Sequence, residues 1–540
     1  MGKIVAKAGY LVKLYFIYES SSKEEVYITI TSPSLKEYRV LAFNRGGNRW
    51  SARFVAQEDG EYIFKLLDKE AKVNITSSSE KISNFNYIKL SKDKRYLVDS
   101  QDKPFFWLSD TWWMALSSRL SWEDFVKLAN KRREQGFNVI QLVAGLMPDV
   151  DRFDERAFNS EGYPFDCDTG EINPAYFDEA DKRVKYLVNL GFSVMIVGSW
   201  GYYLNIFGKE KMQEFWRYIV ARWGSLNVVW CIAGETTMPY YLSKNRSLEQ
   251  HDLKNGWSEL AQYIRDIEAF GRLITTHPIE SSIEELDSSL LDINLLQASH
   301  NSFDSLQKGI SLLEKEQSIP TIMDEINYEG ILRGNSDFMQ RLCFWSSILR
   351  GSKGFGYGAN GIWQVNKENE PFGASASGAN WGNMPYNDAI ELKGAKDIAR
   401  AKEFLKEFKW WELEPKNIDI SPSPNPAFNI SMAGISDTLR IIYIYEQLPP
   451  WHNVQYTIKN LKPNAQYKAY FWSPSFKSKI EIDPITTNNH NLCNLPTPPS
   501  LDEWVLVLEF EKKKRNLTSV SIKTKFKNKA SEFIKKAFTF

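Results

Sequence analysis

Between residues 94 and 415 the chain repeats one pattern eight times: a short apolar run rich in β-branched residues, followed in most cases by an amphipathic stretch with helical spacing. The runs are FFWLSD (105–110), NVIQLVA (138–144), FSVMIVGSW (192–200), NVVWCIAGE (227–235), LITTHP (273–278), INLLQASH (293–300), TIMDE (321–325) and KGFGYG (353–358). Runs that stay apolar without alternating are what strands covered on both faces require, and such strands pair in parallel. The segments between them carry helix signals. SWEDFVKLANKRREQG (121–136) opens on a serine with Asp124 three residues on and closes on a glycine. Eight strand and helix units predict an α/β chain built on a (β/α)8 TIM barrel. The rival, an open doubly wound sheet, calls for a glycine-rich phosphate loop after an early strand, and the sequence has none.

The flanks read differently. Over 1–90, alternating stretches such as VYITI, YRVLAF, RWSARF and EYIFKL are punctuated by Pro33, Gly46-Gly47 and Asp59-Gly60, the rhythm of a small antiparallel β-sandwich. After the barrel region, 91–415, the pattern returns to β over 416–511 in ISMAGI, LRIIYIYEQL, VQYTIKNL, YKAYFWS and WVLVLEFE. The last stretch, 512–540, is a basic tail with ten Lys or Arg against one Glu. The expected architecture is thus a TIM barrel flanked by two small β-sandwich domains.

Composition narrows the function. The 540 residues carry zero formal net charge, so nothing draws the chain as a whole to nucleic acid. No run reaches membrane-spanning length, and Lys7 and Lys13 interrupt the opening apolar stretch, so a cytoplasmic protein is expected, with a secreted form left open. Four scattered cysteines indicate neither a disulfide framework nor a zinc site. Aromatic residues are plentiful, 18 Trp, 25 Tyr and 32 Phe, and flat apolar faces suit sugar rings as well as cores.

In parallel barrels the functional groups gather at the carboxyl ends of the strands. Three of the eight runs end on a carboxylate: the first on Asp110, the fourth on Glu235 and the seventh on Asp324-Glu325, and the last two are the pair that can face each other across the ring. Two carboxylates flanking a glycosidic bond are the minimum for its hydrolysis, so Glu235 is expected to be the general acid/base and Glu325 the nucleophile. Alternation along a strand allows only one of the adjacent Asp324 and Glu325 to face the barrel interior. The remaining strand-end groups, Asp110, Trp112, Trp113, Gln141, Trp200, His277, Gln297, His300, Tyr328 and Trp363, form an expected substrate-binding set of aromatic faces and hydrogen-bonding groups. With five histidines and no HxH pair, neither a metal nor an organic cofactor is expected. The segment 145–173, rich in Asp and aromatics, is expected to wall the pocket. Trp451 offers a secondary sugar contact in the second β region. The alternative is a non-catalytic carbohydrate-binding protein on a hydrolase scaffold. Oligomeric state stays open.

FFWLSDTWW, NVIQ, NPAYFDEADKRVKYLVNLGF, VVWCIAGE, QASH and TIMDEINYEG together resemble the apiosidase-like glycoside hydrolase family over roughly 93–411. YRVLAFNRGGNRWSARFVAQEDGEYIF is similar to the β-sandwich that commonly precedes that barrel, and YKAYFWSPSFK to a domain labelled collagen-binding that commonly follows it. The resemblance implies a retaining hydrolase with its acid/base at the end of strand four and its nucleophile at the end of strand seven, the positions of Glu235 and Glu325. Its pattern carries aspartate where this chain has Glu235. The extra methylene displaces the carboxylate by more than ~1 Å on an unchanged backbone, so a linkage other than an apiosyl one is expected. The expected function is cleavage of O-glycosidic bonds in plant or microbial poly- or oligosaccharides.

Overall fold

The computed structural model describes residues 6–7, 11–18, 24–76, 87–315, 317–445, 454–476 and 478–511; the basic tail 512–540 and Trp451 lie outside the described residues. Eight parallel strands form the centre: Trp107–Thr111, Val139–Leu146, Ser193–Ser199, Val228–Gly234, Ile274–His277, Asn294–Gln297, Thr321–Glu325 and Gly354–Tyr357. They are called the first to eighth strands below. The eighth pairs with the first, Trp107 opposite Gly354, and the ladder runs on through the second, third and fourth to the fifth. The fifth and sixth strands are bridged by side chains, among them Thr275, whose hydroxyl donates to Ile293 O at 2.8 Å, and Ser282. The Ser282 hydroxyl donates to Thr276 O at 2.6 Å and accepts from Leu295 N at 3.0 Å.

Every residue of the eight strands is buried, as the unbroken apolar runs require. Each large aliphatic or aromatic side chain so covered contributes about 1.5–3 kcal/mol of transfer free energy. The helices form the outer layer, and the first of them shows why the sequence starts and stops where it does. Helix Trp122–Gln135 begins at Ser121, whose hydroxyl accepts from Asp124 N at 3.0 Å. It ends at Gly136, whose φ of 99° is one that a side chain disfavours.

The amino-terminal sheet has seven strands, and strand Glu37–Asn44 pairs on both sides, which curls the sheet around a core that includes Ile30, Trp50, Phe54 and Tyr62. Arg53 fastens it to the barrel. Its guanidinium is ion-paired with Asp181 and donates to Arg222 O at 2.6 Å. Asp181 also takes the Trp223 indole N–H at 2.8 Å and Lys185 Nζ at 2.8 Å, so these buried charges are compensated rather than stranded.

The carboxyl-terminal region is a six-stranded sheet, with strand Lys479–Thr486 at its edge, and a small three-stranded sheet. Of the stretch VQYTIKNL only Thr457–Ile458 pairs as strand. Glu503 of the larger sheet is ion-paired with Arg341 of the barrel helix Asp337–Ile348, and the Trp472 ring stacks on Phe404 at 4.4 Å. All four cysteines are free thiols. Among the described residues no helix is long and apolar enough to cross a membrane.

Candidate active site

The fourth strand delivers Glu235 to the barrel mouth through a tight passage. Gly234 lies under the Trp200 indole, where an added Cβ would come within 2.3 Å of the ring, so only glycine fits. Glu235 itself has φ 43°, a left-handed conformation that costs an L-residue roughly 1–2 kcal/mol. Strain of this kind concentrates at functional sites. Its carboxylate takes the Trp200 indole N–H at 3.0 Å and the Gln297 amide at 3.3 Å. Burial pushes its pKa up; the Trp200 bond works against this, and the negative charge of Glu325 adds to it. Glu235 is therefore the carboxyl group that tends to keep its proton.

Glu325 is held the opposite way. Its Oε2 takes His277 Nε2 at 3.0 Å and the Tyr328 hydroxyl at 2.7 Å, and its Oε1 takes His300 Nε2 at 3.2 Å and Gln297 Nε2 at 3.2 Å. Burial alone would raise its pKa, but the hydrogen bonds from His277 and His300 outweigh it and hold the carboxyl well below the usual range. The reciprocal effect falls on His277. Burial alone would lower its pKa, yet the bond to Glu325 and that charge raise it to about 9. Near neutral pH the pair is an imidazolium against a carboxylate.

Gln297 bridges the two acids from one nitrogen. Its bonds of 3.3 Å to Glu235 Oε1 and 3.2 Å to Glu325 Oε1 keep those oxygens within about 6.5 Å of each other. The seventh strand departs from simple alternation to make this possible. The register shifts between Leu296 and Gln297, so Met323 is opposite Leu296 while Glu325 is opposite Gln297. This bulge at Asp324 lets both acids lie on the barrel side, against the expectation that only one could. Asp324 sits one layer deeper, bonded to Gln141 and, at 3.4 Å, to Ser109. Burial raises its pKa to about 6.

Three of the expected substrate contacts belong to the barrel's own support. Asp110 is fully buried and ion-paired to Arg132 at 2.6 Å. Trp112 is likewise buried, its indole N–H bonded to the Asp110 carboxylate at 2.8 Å. Gln141 is buried and bonded to Ser109 and Asp324. In this structure each is covered and tied to a neighbour inside the barrel.

His277, His300 and Tyr328 are at the site but hold Glu325. His300 Nδ1 accepts from Tyr328 N at 3.1 Å, which places its ring proton on Nε2, facing Glu325. Tyr328 bridges from Glu325 to Thr111, 3.1 Å away. Trp113 packs against both Trp200 and His277, with ring centroids at 5.5 and 5.4 Å. Trp363 is buried in the segment after the eighth strand, its backbone carbonyl accepting from Met114 N at 3.2 Å.

Two residues at the mouth escaped the sequence argument. Asp149, in the segment after the second strand, has φ 60° and is 8% exposed. Its backbone N–H donates to the Tyr241 hydroxyl at 3.0 Å, and burial, with the charge of Glu235, pushes its carboxyl up to about 7. Trp381, after the eighth strand, sets its ring edge-on to His300 at 5.9 Å. The segment 145–173 was expected to wall the pocket, but no spacing singled out Asp149. Trp381 lies in a stretch rich in Gly, Ser and Asn with no periodicity to place it.

Among the described residues no group of three or more His, Cys, Asp and Glu is arranged to hold a metal ion. The arrangement can present a protonated carboxyl and an ionised one to the same bond.

Residues 91–412 match the apiosidase-like catalytic domain. No curated protein matches the chain. Among solved structures, a glycoside hydrolase is 19% identical with a TM-score of 0.63, covering 79% of this chain and 97% of its own. A family 5 glycoside hydrolase from Bacteroides vulgatus ATCC 8482 is 20% identical with a TM-score of 0.62, covering 79% and 93%. A candidate glycoside hydrolase from the same organism is 15% identical with a TM-score of 0.68, covering 94% and 99%. At these identities the likeness is one of fold.

Proposed function

The chain belongs to the apiosidase-like family and is a glycoside hydrolase, and from that premise we propose that it cleaves O-glycosidic bonds in plant or microbial poly- or oligosaccharides with retention at the anomeric carbon. Glu325 is the nucleophile and Glu235 the acid/base. The observation that carries this is the single Gln297 nitrogen bonded to both carboxylates. The resulting limit of about 6.5 Å accommodates the ~5–5.5 Å separation of retaining enzymes and meets only the lower edge of the ~6.5–9.5 Å that an inverting enzyme needs for an intervening water.

The chemistry follows from the two environments. Glu325, ionised and oriented by four donors, attacks the anomeric carbon. The bond to the leaving oxygen breaks as Glu235 transfers its proton to that oxygen. The products of this step are a glycosyl ester on Glu325 and a free alcohol. Glu235, now a carboxylate, takes a proton from a water that attacks the same carbon and releases Glu325. Trp113 and Trp200 supply ring faces beside the reacting sugar.

The test is the anomeric configuration of the first sugar released, followed by proton NMR on 4-nitrophenyl glycosides and plant cell-wall oligosaccharides. Retention is expected. Release of the inverted anomer would reassign Glu325 as a base acting on water.

A further inference from the structure

The acid/base stands on a strained turn, and a buried side chain from the next loop closes that turn. Glu235 has φ 43°, and a backbone in this region persists only where its surroundings fix it. On the strand side, Gly201 N donates to Gly234 O at 2.7 Å. On the far side, Met238 N donates to Glu235 O at 2.8 Å and Thr236 N to His277 O at 3.3 Å. Thr237 N, between them, finds its acceptor on a side chain, Glu285 Oε2 at 3.1 Å.

Glu285 ends the short helix Ser282–Glu285 that follows the fifth strand. That helix is itself fastened to the barrel by Ser282, whose hydroxyl donates to Thr276 O at 2.6 Å. The second Glu285 oxygen, Oε1, accepts from Ile279 N, so both oxygens are taken by backbone N–H groups rather than by a cation. The two bonds fall at matching places. Thr237 is two residues beyond Glu235, and Ile279 is two residues beyond His277, which donates to Glu325. Burial pushes the Glu285 carboxyl up to about 7, a cost that an apolar side chain filling the same space would not carry.

We infer that Glu285 is a positioning residue for the acid/base: by accepting from Thr237 and Ile279 at once, it pins the turn after Glu235 to the loop after the fifth strand and fixes where the Glu235 proton is delivered. The inference rests on the proposed function. Glu285 acts through the backbone, with its oxygens occupied by the two N–H groups it holds. Its loss leaves Thr237 N without that acceptor and frees the turn to relax from its strained φ. A shift of about 1 Å in a proton donor is enough to cost about 10²-fold in rate. Glu325 has four donors of its own and depends less on this clamp.

The experiment measures kcat/KM against leaving group for the wild type, E285Q and E285A. The substrates are aryl glycosides of the sugar that the wild type hydrolyses, from 2,4-dinitrophenyl to phenyl, and an oligosaccharide of the same sugar. E285A is expected to lose about 10²-fold on the oligosaccharide and far less on the 2,4-dinitrophenyl glycoside, whose phenolate departs without a proton. E285Q offers one acceptor oxygen to the two N–H groups and should fall between E285A and the wild type. A second arm places E285A in the E235A background, where it should cost no further activity on the oligosaccharide, because the group it positions is gone. Thermal melting confirms folding, and E285Q carries both arms if E285A does not fold. A loss equal for every leaving group, or one that returns in full in the E235A background, would mean that Glu285 supports the fold generally and would overturn the inference while the proposed function stood. If the wild type hydrolysed neither the aryl glycosides nor plant cell-wall oligosaccharides, the proposed function would fall and this inference with it.

Discussion

Glu235 and Glu325 are the same side chain at the ends of two strands of one barrel, bridged by one glutamine nitrogen, yet their surroundings drive them to opposite protonation states. Glu325 is bonded by His277, His300, Tyr328 and Gln297, and those bonds outweigh the cost of burying its charge. Among the described residues Glu235 has the Trp200 and Gln297 N–H groups as donors, and burial wins. Two acids pushed apart in this way are how one site supplies an acid and a nucleophile at the same pH. The donors around each carboxylate, rather than the identity of the residue, set the direction in which its pKa moves.

The largest effect should come from removing the ionised member. E325Q keeps the shape and most hydrogen bonds but abolishes the attacking carboxylate, so kcat should fall by on the order of 10⁴-fold or more on every substrate. Steady-state rates with sugar binding measured in parallel check this, binding being expected to survive. The protonated member is next. E235A should lose about 10²–10⁴-fold in kcat/KM on a sugar leaving group, and much less in kcat/KM on a 4-nitrophenyl glycoside, whose phenolate departs without help. An equal loss on both substrates would contradict the acid role.

The barrel was legible in the sequence because covered strands must be continuously apolar, and the eight runs from FFWLSD to KGFGYG coincide with the eight strands to within three residues at either end. Helix Trp122–Gln135 was equally plain from Ser121 and Gly136. At the site, chain pattern identified which residues end each strand but not which way they turn. Asp110 and Trp112 stand at the end of the first strand much as Glu235 stands at the end of the fourth, but Asp110 is held inside the barrel by Arg132 and Trp112 by Asp110. The bulge at Asp324 broke the alternation rule for the same reason: its cause is a contact between strands, invisible in the run TIMDE. Asp149 and Trp381 sit in segments without period, where contacts across the mouth fix position and sequence pattern carries none of that information.

His277 links the two halves of the contrast, and a smaller effect follows from its loss. H277N removes the first donor to Glu325 and leaves burial to raise that carboxyl, so the acid limb of kcat/KM should move to higher pH while the alkaline limb, set by Glu235, moves less. Stability gives a second measure. His277 is raised to about 9 in the folded protein, against about 6.5 for an unfolded imidazole. Its contribution is fully present below pH 6.5 and is lost as pH rises through 9. Urea midpoints for the wild type should therefore fall across that window, and those of H277N should change less.

The smallest change tests the weaker set of bonds directly. Trp200 is the donor that opposes burial at Glu235, so W200F, which keeps a ring over Gly234 but removes the N–H, should raise the pKa of Glu235 further. A single bond of this kind is worth about 1–2 kcal/mol, which limits the shift of the alkaline limb to roughly one pH unit, upward. The acid limb should stay in place, because Glu325 keeps all four of its donors. A downward shift of the alkaline limb would mean that Trp200 holds Glu235 protonated rather than drawing it toward ionisation. The division between the two carboxylates would then depend on the Gln297 bridge and the charge of Glu325 rather than on how many donors each one has.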